Sequence, residues 1–293
     1  MSGLAMMAHM LLERFSRHEL TRVPEPDLLM DDPRQVDAFA ESGDDDGPLA
    51  PIYLFLALHA GAAIRPGGVV LDLACGPGNQ LIQLARLHPD AHFIGVDMAP
   101  NMLAQAERKL QREGLRNVSL REGDVRDLSA LPDASVDTVT CTLSLHHLPD
   151  VVQLRGAMRA MRRVLQPGGG VYFADFGRLR RPATLRYMVQ DRQSEQSPQF
   201  TADFMNSMRA AFSVQELSSA VQVLGTDVQR HQTALAPFMV LFRRAVSATP
   251  HSATMQVARA RFQALSDSHQ RDVRALSNWF SANGLPLPFT LQA

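Results

Sequence analysis

The 293-residue chain is 45% hydrophobic, enough to bury one large core, and its formal charge is -1. That near-neutral balance excludes the basic face needed for sequence-independent nucleic-acid binding. Two cysteines exclude a disulfide framework, and no apolar run approaches the ~18 residues of a membrane span, so a cytoplasmic protein is expected.

In chain order, the first predicted element is a short amphipathic helix with Met7, Leu11 and Phe15 on one face. It lacks a basic leader and is interrupted by Glu13-Arg14, so it does not read as a signal peptide. Val23-Pro24-Glu25-Pro26-Asp27 predicts an extended or turning linker, and Glu41-Ser42-Gly43-Asp44-Asp45-Asp46-Gly47 an acidic loop. Pro51 to Leu58 reads as a buried helix leading into the first strand.

The strand Val69-Val70-Leu71-Asp72-Leu73 runs into Ala74-Cys75-Gly76-Pro77-Gly78-Asn79, and a helix follows with Leu81, Leu84 and Ala85 on one face. Gly76 and Gly78 let the backbone turn sharply beside a ligand. Such a unit suits NAD, FAD or S-adenosylmethionine, each an adenosine ligand lying at the carboxyl end of a strand. The second strand, His92 to Val96, ends in Asp97, placed to accept ribose hydroxyls or else a surface acid. A dinucleotide fingerprint also needs a third glycine, and Leu81 stands there, which counts against NAD.

Asp124, in the turn after Leu120-Arg121-Glu122-Gly123, is placed either to take an adenine amino proton, with Val125 packing on the ring, or to cap a helix beginning near Leu128. Ser135 to Leu143 forms a fourth strand opening into Ser144-Leu145-His146-His147-Leu148. A helix over Met158–Leu165 then stops at Gln166-Pro167-Gly168-Gly169-Gly170 before a fifth strand, Val171 to Phe176.

Taken together, residues from about Gly67 to Arg178 resemble the core of class I S-adenosylmethionine-dependent methyltransferases, closest to the broad small-molecule branch that contains quinone and natural-product methyltransferases and has no single acceptor. The glycine loop, Asp97, the Gly123-Asp124-Val125 turn, the Leu-His-His-Leu loop and the Gln-Pro-Gly-Gly turn occur in the family's order. Two positions depart from the pattern: Ala74 replaces a usual glycine, and Ala99 replaces a common helix-capping Ser, forfeiting a cap typically worth ~1 kcal/mol.

The resemblance implies an α/β fold: a Rossmann-like, seven-stranded, mostly parallel sheet with an antiparallel last strand, helices on both faces, and helical additions at both ends. The expected division is an N-terminal cap over 1–60, a cofactor-binding domain over 61–245 with a lid insertion about 179–212, and a C-terminal extension over 246–293. The implied cofactor is S-adenosyl-L-methionine, with S-adenosyl-L-homocysteine as product. Its expected contacts are Asp72, Ala74, Gly76, Gly78, Asn79, Asp97, Met98, Asp124 and Val125, with Thr142 and Leu143 through their main chain. Asp72 is expected to orient loop amides, its alternative being a turn-forming role. The segment before the glycine loop is expected to cap the cofactor.

His146 and His147 are the candidate catalytic pair, since an imidazole can take a proton from the acceptor, although in the family such histidines also shape the loop. Two adjacent histidines without a third ligand at suitable spacing predict no metal. Arg178-Leu179-Arg180-Arg181 reads as a solvated face or as a clamp for an acidic acceptor. Met188, Phe200, Phe204, Met205 and Met208 either line an apolar acceptor pocket or pack the lid. A helix over Phe212–Leu224 precedes a closing hairpin of Asp227–Thr233 and Phe238–Arg244. In the tail, Val273, Leu276 and Phe280 form a stripe that docks on the core or on a second subunit, giving a homodimer.

DNA amino-methylating, arginine-methylating and arsenite-methylating patterns are absent. The expected activity is methyl transfer to O, N or C of a small organic molecule. The alternatives are a non-catalytic cofactor-binding subunit and an NAD-dependent oxidoreductase.

Overall fold

A computed structural model describes residues 3–191, 193–246 and 252–291. Seven strands form one sheet: β1 (Val69–Leu73), β2 (His92–Asp97), β3 (Val118–Glu122), β4 (Val136–Thr142), β5 (Leu165–Phe176), β6 (Gln229–Gln232) and β7 (Met239–Arg244). Their spatial order is β3-β2-β1-β4-β5-β7-β6. The first five strands pair in parallel, and β7 runs against both β5 and β6. Strand order reverses between β1 and β4, which opens a crevice at their carboxyl ends.

The buried strands are apolar on both faces, as a covered parallel sheet requires. Val70, Tyr172 and Leu241 point into one cluster, while their neighbours Leu71, Phe173 and Phe242 point into the other. The first layer holds α3 (Ala50–Ala60) and α4 (Asn79–Leu87), backed by α10 (Ser252–Ala264) and α11 (Asp267–Ser281). The second holds α6 (Val151–Val164) and α9 (Val214–Val221). Val273, Leu276 and Phe280 are buried, with Phe280 lying 5.3 Å from Phe55 of α3. The stripe offered to a second subunit is therefore used within the chain.

Three sequence expectations are corrected. In α1 (Gly3–Phe15), Met6, Met10 and Glu13 are buried, whereas Met7, Leu11 and Phe15 are exposed, Phe15 at 80%. Met6 and Met10 meet Ala236 and Met188, and Glu13 accepts the N–H groups of Arg180 and Arg181 at the start of α7 (Pro182–Gln190). The helix is rotated by these contacts away from its expected stripe. Secondly, the acidic loop is preceded by an unforeseen helix, α2 (Pro33–Ser42), which Asp32 caps and Pro33 opens. Thirdly, the Gln-Pro-Gly-Gly turn is a bulged beginning of β5, and α6 begins at Val151 rather than Met158. A Cβ on Gly170 would stand 1.8 Å from Ala63 O, so that position requires glycine.

Among the described residues, no helix is long and apolar enough to cross a membrane.

Candidate active site

The glycine loop leaves β1 through three left-handed residues, Ala74 (φ 51), Gly76 (φ 54) and Gly78 (φ 81). Gly78 caps the start of α4. Asp97 Oδ2 accepts the Gly76 N–H at 2.7 Å, and Oδ1 accepts the Ala99 N–H at 2.9 Å. One carboxylate thus joins the glycine loop to the start of α5 (Pro100–Glu113). Burial raises the Asp97 pKa, opposed by the N–H groups of Ala99, Gly76 and Met98. The capping acceptor missing at Ala99 is replaced from a distance, because Asp31 Oδ1 accepts the Asn101 N–H at 2.8 Å.

Asp72 does not bind the loop amides as expected. Its Oδ1 accepts the Thr140 hydroxyl at 2.6 Å, and its buried Oδ2 has no partner. Burial pushes this carboxyl up to about 7, with Thr140 opposing and Asp97 adding to the rise. Asp72 borders a narrow niche with Tyr53, Ala74, Gly76, Asn79, Thr142 and Ser144. The niche shares Phe39, Ala74, Gly76 and Ser144 with a larger cavity of about 1280 Å³ including its mouth. Asn79 lines the niche, but its side chain is held by Lys109 Nζ at 2.7 Å and Phe39 O at 3.2 Å. Its main chain, at the helix N-terminus, is what remains for an anion.

Asp97, Met98, Asp124, Val125 and Leu143 all line the larger cavity. No helix begins near Leu128. Instead, Arg126 grips Asp124 through Nε at 2.8 Å and 2.9 Å and through Nη2 at 2.5 Å. Burial acts to raise the Asp124 pKa, and the Arg126 hydrogen bonds outweigh it, holding the carboxyl below its ordinary value.

The far wall is apolar and aromatic. Leu28, Leu29 and Met30 come from the N-terminal strap, the segment that joins α1 to α2, Phe39 from α2, Phe176 from the end of β5, and Phe200 and Phe204 from α8 (Pro198–Ala210). Phe176 and Phe204 lie 5.6 Å apart, and Phe200 and Phe204 6.2 Å. The lid residues therefore divide: Phe200 and Phe204 face the cavity, while Met188, Met205 and Met208 pack α7 and α8 together. No residue of the Arg178–Arg181 run lines the cavity. Arg178 pairs with Glu216 at 2.6 Å, which removes the proposed acceptor clamp.

His146 and His147 border the same cavity from a 3-10 turn. Asp175 grips His146 at its N–H (2.9 Å) and at Nδ1 (2.7 Å). Burial, with His146 second, lowers His147 to about 3 and keeps its ring neutral. Glu25 Oε1 lies 3.9 Å from His146 Nε2 and accepts the Ser207 hydroxyl at 2.9 Å. Burial raises the Glu25 pKa, opposed by His146 and Ser207. Glu25, Asp175, Phe39 and Ser144 were not foreseen; only Asp175, an acid near the end of a strand, carried a signal comparable to that of Asp97.

The niche suits the methionine end of S-adenosylmethionine. An orphaned buried carboxylate oxygen at Asp72 matches an ammonium group, and a Cβ at Gly76 would meet only Phe39, at 3.7 Å.

Residues 70–169 match the family described as "Methyltransferase domain". A demethylmenaquinone methyltransferase from Listeria welshimeri is 37% identical over 107 residues, 36% of this chain and 44% of that protein. The chain thus spans less than half the length of that relative. Among solved structures, a SAM dependent methyltransferase from Aquifex aeolicus superimposes with a TM-score of 0.53 at 18% identity, covering 72% of this chain and 97% of that one. An O-methyltransferase family protein from Burkholderia thailandensis gives a TM-score of 0.54 at 21% identity, covering 74% and 60%. These structural likenesses concern the fold alone. The match to a methyltransferase domain over residues 70–169 runs from β1 to the start of β5, and it lies within a sheet of Rossmann-like order.

Proposed function

We propose that this protein transfers a methyl group from S-adenosylmethionine to O, N or C of a small, largely apolar organic acceptor, releasing S-adenosylhomocysteine. The observation that carries this reading is the continuity of the polar Asp72 niche with the aromatic cavity, which share Ala74, Gly76 and Ser144 as a common wall. Asp72 and the amide-rich start of α4 would hold the amino-acid end, Asp97 the ribose, and Met98, Asp124 and Val125 the adenine. Thr142 and Leu143 would border the junction between cofactor and acceptor.

When bound, the cofactor supplies a sulfonium methyl that is already a good electrophile. The chain's own part is then to align the acceptor and exclude water, and well-fixed orientation can lower the barrier by ~7–11 kcal/mol. Phe176, Phe200 and Phe204 give an apolar acceptor a wall, while His146 and His147 supply the polar end toward which its heteroatom turns. The name of the Listeria relative supports an organic acceptor. A cytoplasmic setting belongs to this reading, supported by two free, buried cysteines.

Calorimetric titration with S-adenosylmethionine and S-adenosylhomocysteine tests the cofactor, and no binding at millimolar ligand would sink the reading. Isotopically labelled S-adenosylmethionine added to a cell extract, followed by mass spectrometry, identifies the acceptor.

A further inference from the structure

The geometry points to a divalent transition-metal site, of the kind zinc occupies, formed by Glu25, His146 and His147 at the polar end of the acceptor cavity. Each residue offers one ligand atom, and the three atoms lie within 4.8 Å of one another. With metal bonds of about 2.1 Å, the ligand atoms of a four-coordinate site stand ~3.4 Å apart, so side-chain rotation must draw these three together by up to about 1.4 Å on binding. The His146–Glu25 pair, at 3.9 Å, lies about half an ångström from that spacing.

Four independent features distinguish this cluster from a chance gathering of polar groups. The Glu25 and His146 side chains are buried, 8% and 2% exposed, whereas an adventitious cluster ordinarily lies in solvent. Among the described residues, neither His146 Nε2 nor the His147 ring has a hydrogen-bonding partner, so both keep a nitrogen available to a ligand on the cavity side. Asp175 occupies the opposite ring nitrogen of His146 at 2.7 Å, the carboxylate–histidine arrangement that orients a metal-bound imidazole. Finally, Pro24 and Pro26 flank Glu25 and restrict its backbone, while Ser207 Oγ fixes one carboxylate oxygen at 2.9 Å.

Two imidazoles and one carboxylate make an N/O donor set suited to zinc and its first-row neighbours rather than to magnesium or calcium. Three protein ligands also leave a fourth position open, and here it would face the cavity. An acceptor hydroxyl or carbonyl oxygen could occupy it and be held beside the methyl donor. That use rests on the methyl-transfer reading; metal binding by the three side chains does not.

The test uses the full chain stripped by chelator, titrated calorimetrically with zinc chloride and, separately, with cobalt(II) chloride followed by visible absorption. The expected result is one zinc per chain and the visible bands of four-coordinate cobalt. Glu25→Gln and His147→Ala should each weaken zinc binding at least tenfold, and Asp175→Asn about 10–100-fold. S-adenosylhomocysteine binding, measured on the same samples, should persist in all three variants, which shows that they are folded and separates this proposal from the cofactor assignment. No stoichiometric zinc binding by wild type, or zinc binding undiminished in Glu25→Gln and His147→Ala, would overturn the site. Loss of S-adenosylhomocysteine binding by wild type, with zinc still bound through these residues, would overturn the cofactor reading and leave the metal site standing.

Discussion

Asp175 holds His146 at two points, accepting its backbone N–H through Oδ2 at 2.9 Å and meeting its ring Nδ1 through Oδ1 at 2.7 Å. A carboxylate against Nδ1 keeps a proton on that nitrogen and turns Nε2 toward Glu25. Replacing Asp175 with Ala strands two buried donors at once, which costs about 2–3 kcal/mol. Urea denaturation of Asp175→Ala should show this loss, and a variant as stable as wild type would mean the contact is dispensable.

Asp72 predicts an inverted pH dependence. Its carboxyl rises from an ordinary 3.8 to about 7 on folding, so between those values the folded state keeps a proton that the unfolded chain has released. Stability from this group is therefore greatest below about pH 4, falls as pH rises and levels off above about pH 7. Asp72→Asn should remove that slope and be more stable than wild type near pH 8, as read from denaturation midpoints across the range. Cofactor binding should run the opposite way. An ammonium group prefers the ionised carboxylate, so S-adenosylhomocysteine affinity in wild type should climb through about pH 7 and stay low and flat in the variant. A wild-type affinity independent of pH would contradict the ammonium contact.

Ala74 sits at φ 51, in the left-handed region where a side chain costs roughly 1–2 kcal/mol and glycine costs little. Part of the gain is offset by the greater freedom of glycine in the unfolded chain. Ala74→Gly should raise the melting temperature by about 2 °C without weakening cofactor binding. A lowered melting temperature would show that the methyl group has a packing role.

Asp31 supplies from the N-terminal strap the cap that Ala99 lacks, by accepting the Asn101 N–H. Asp31→Ala should cost about 1 kcal/mol, the usual worth of such a cap. Ala99→Ser in that variant should restore much of the loss, since a capping hydroxyl would then sit where most helices carry one. Failure of the second change to rescue would mean that Asp31 acts by tethering the strap instead.

These contacts show where the sequence was readable. Asp97 and Gly76 lie in one local strand–loop–helix–strand unit, so their pairing could be inferred from order along the chain. The α2 helix was marked by Asp32-Pro33, a cap followed by a proline in the first turn, although the acidic run after it drew attention to a loop. The α1 stripe misled because Met6 and Met10 repeat with the same period as Met7 and Leu11, and only tertiary docking decides which set is buried. Glu25 carried no local sign of function, since its meeting with His146 depends on how the strap crosses the sheet's carboxyl edge. The cofactor half is built from consecutive elements, whereas the acceptor half is assembled from the strap, the histidine turn and the lid.

Arg22 holds that second half together. Its guanidinium donates to the carbonyls of Pro149 at 2.5 Å, His146 at 2.9 Å, Leu148 at 2.6 Å and Ala210 at 2.7 Å. It also lies 3.9 Å above the ring of Phe212. The strap, the histidine turn and the end of α8 thus share one planar donor, beside the main-chain bonds of Leu20 to Leu179 and Val23 to Arg209. Lysine keeps the charge but is a single point donor and cannot reproduce the fork. Arg22→Lys should therefore lose about 2–3 kcal/mol of stability. Amide hydrogen exchange should quicken in the strap and in the 145–149 turn, while the glycine loop, anchored by Asp97, stays protected. Acceptor turnover should fall with S-adenosylhomocysteine affinity little changed. Equal acceleration of exchange across the glycine loop would show that strap and cofactor site open as one unit, contrary to this division of the site.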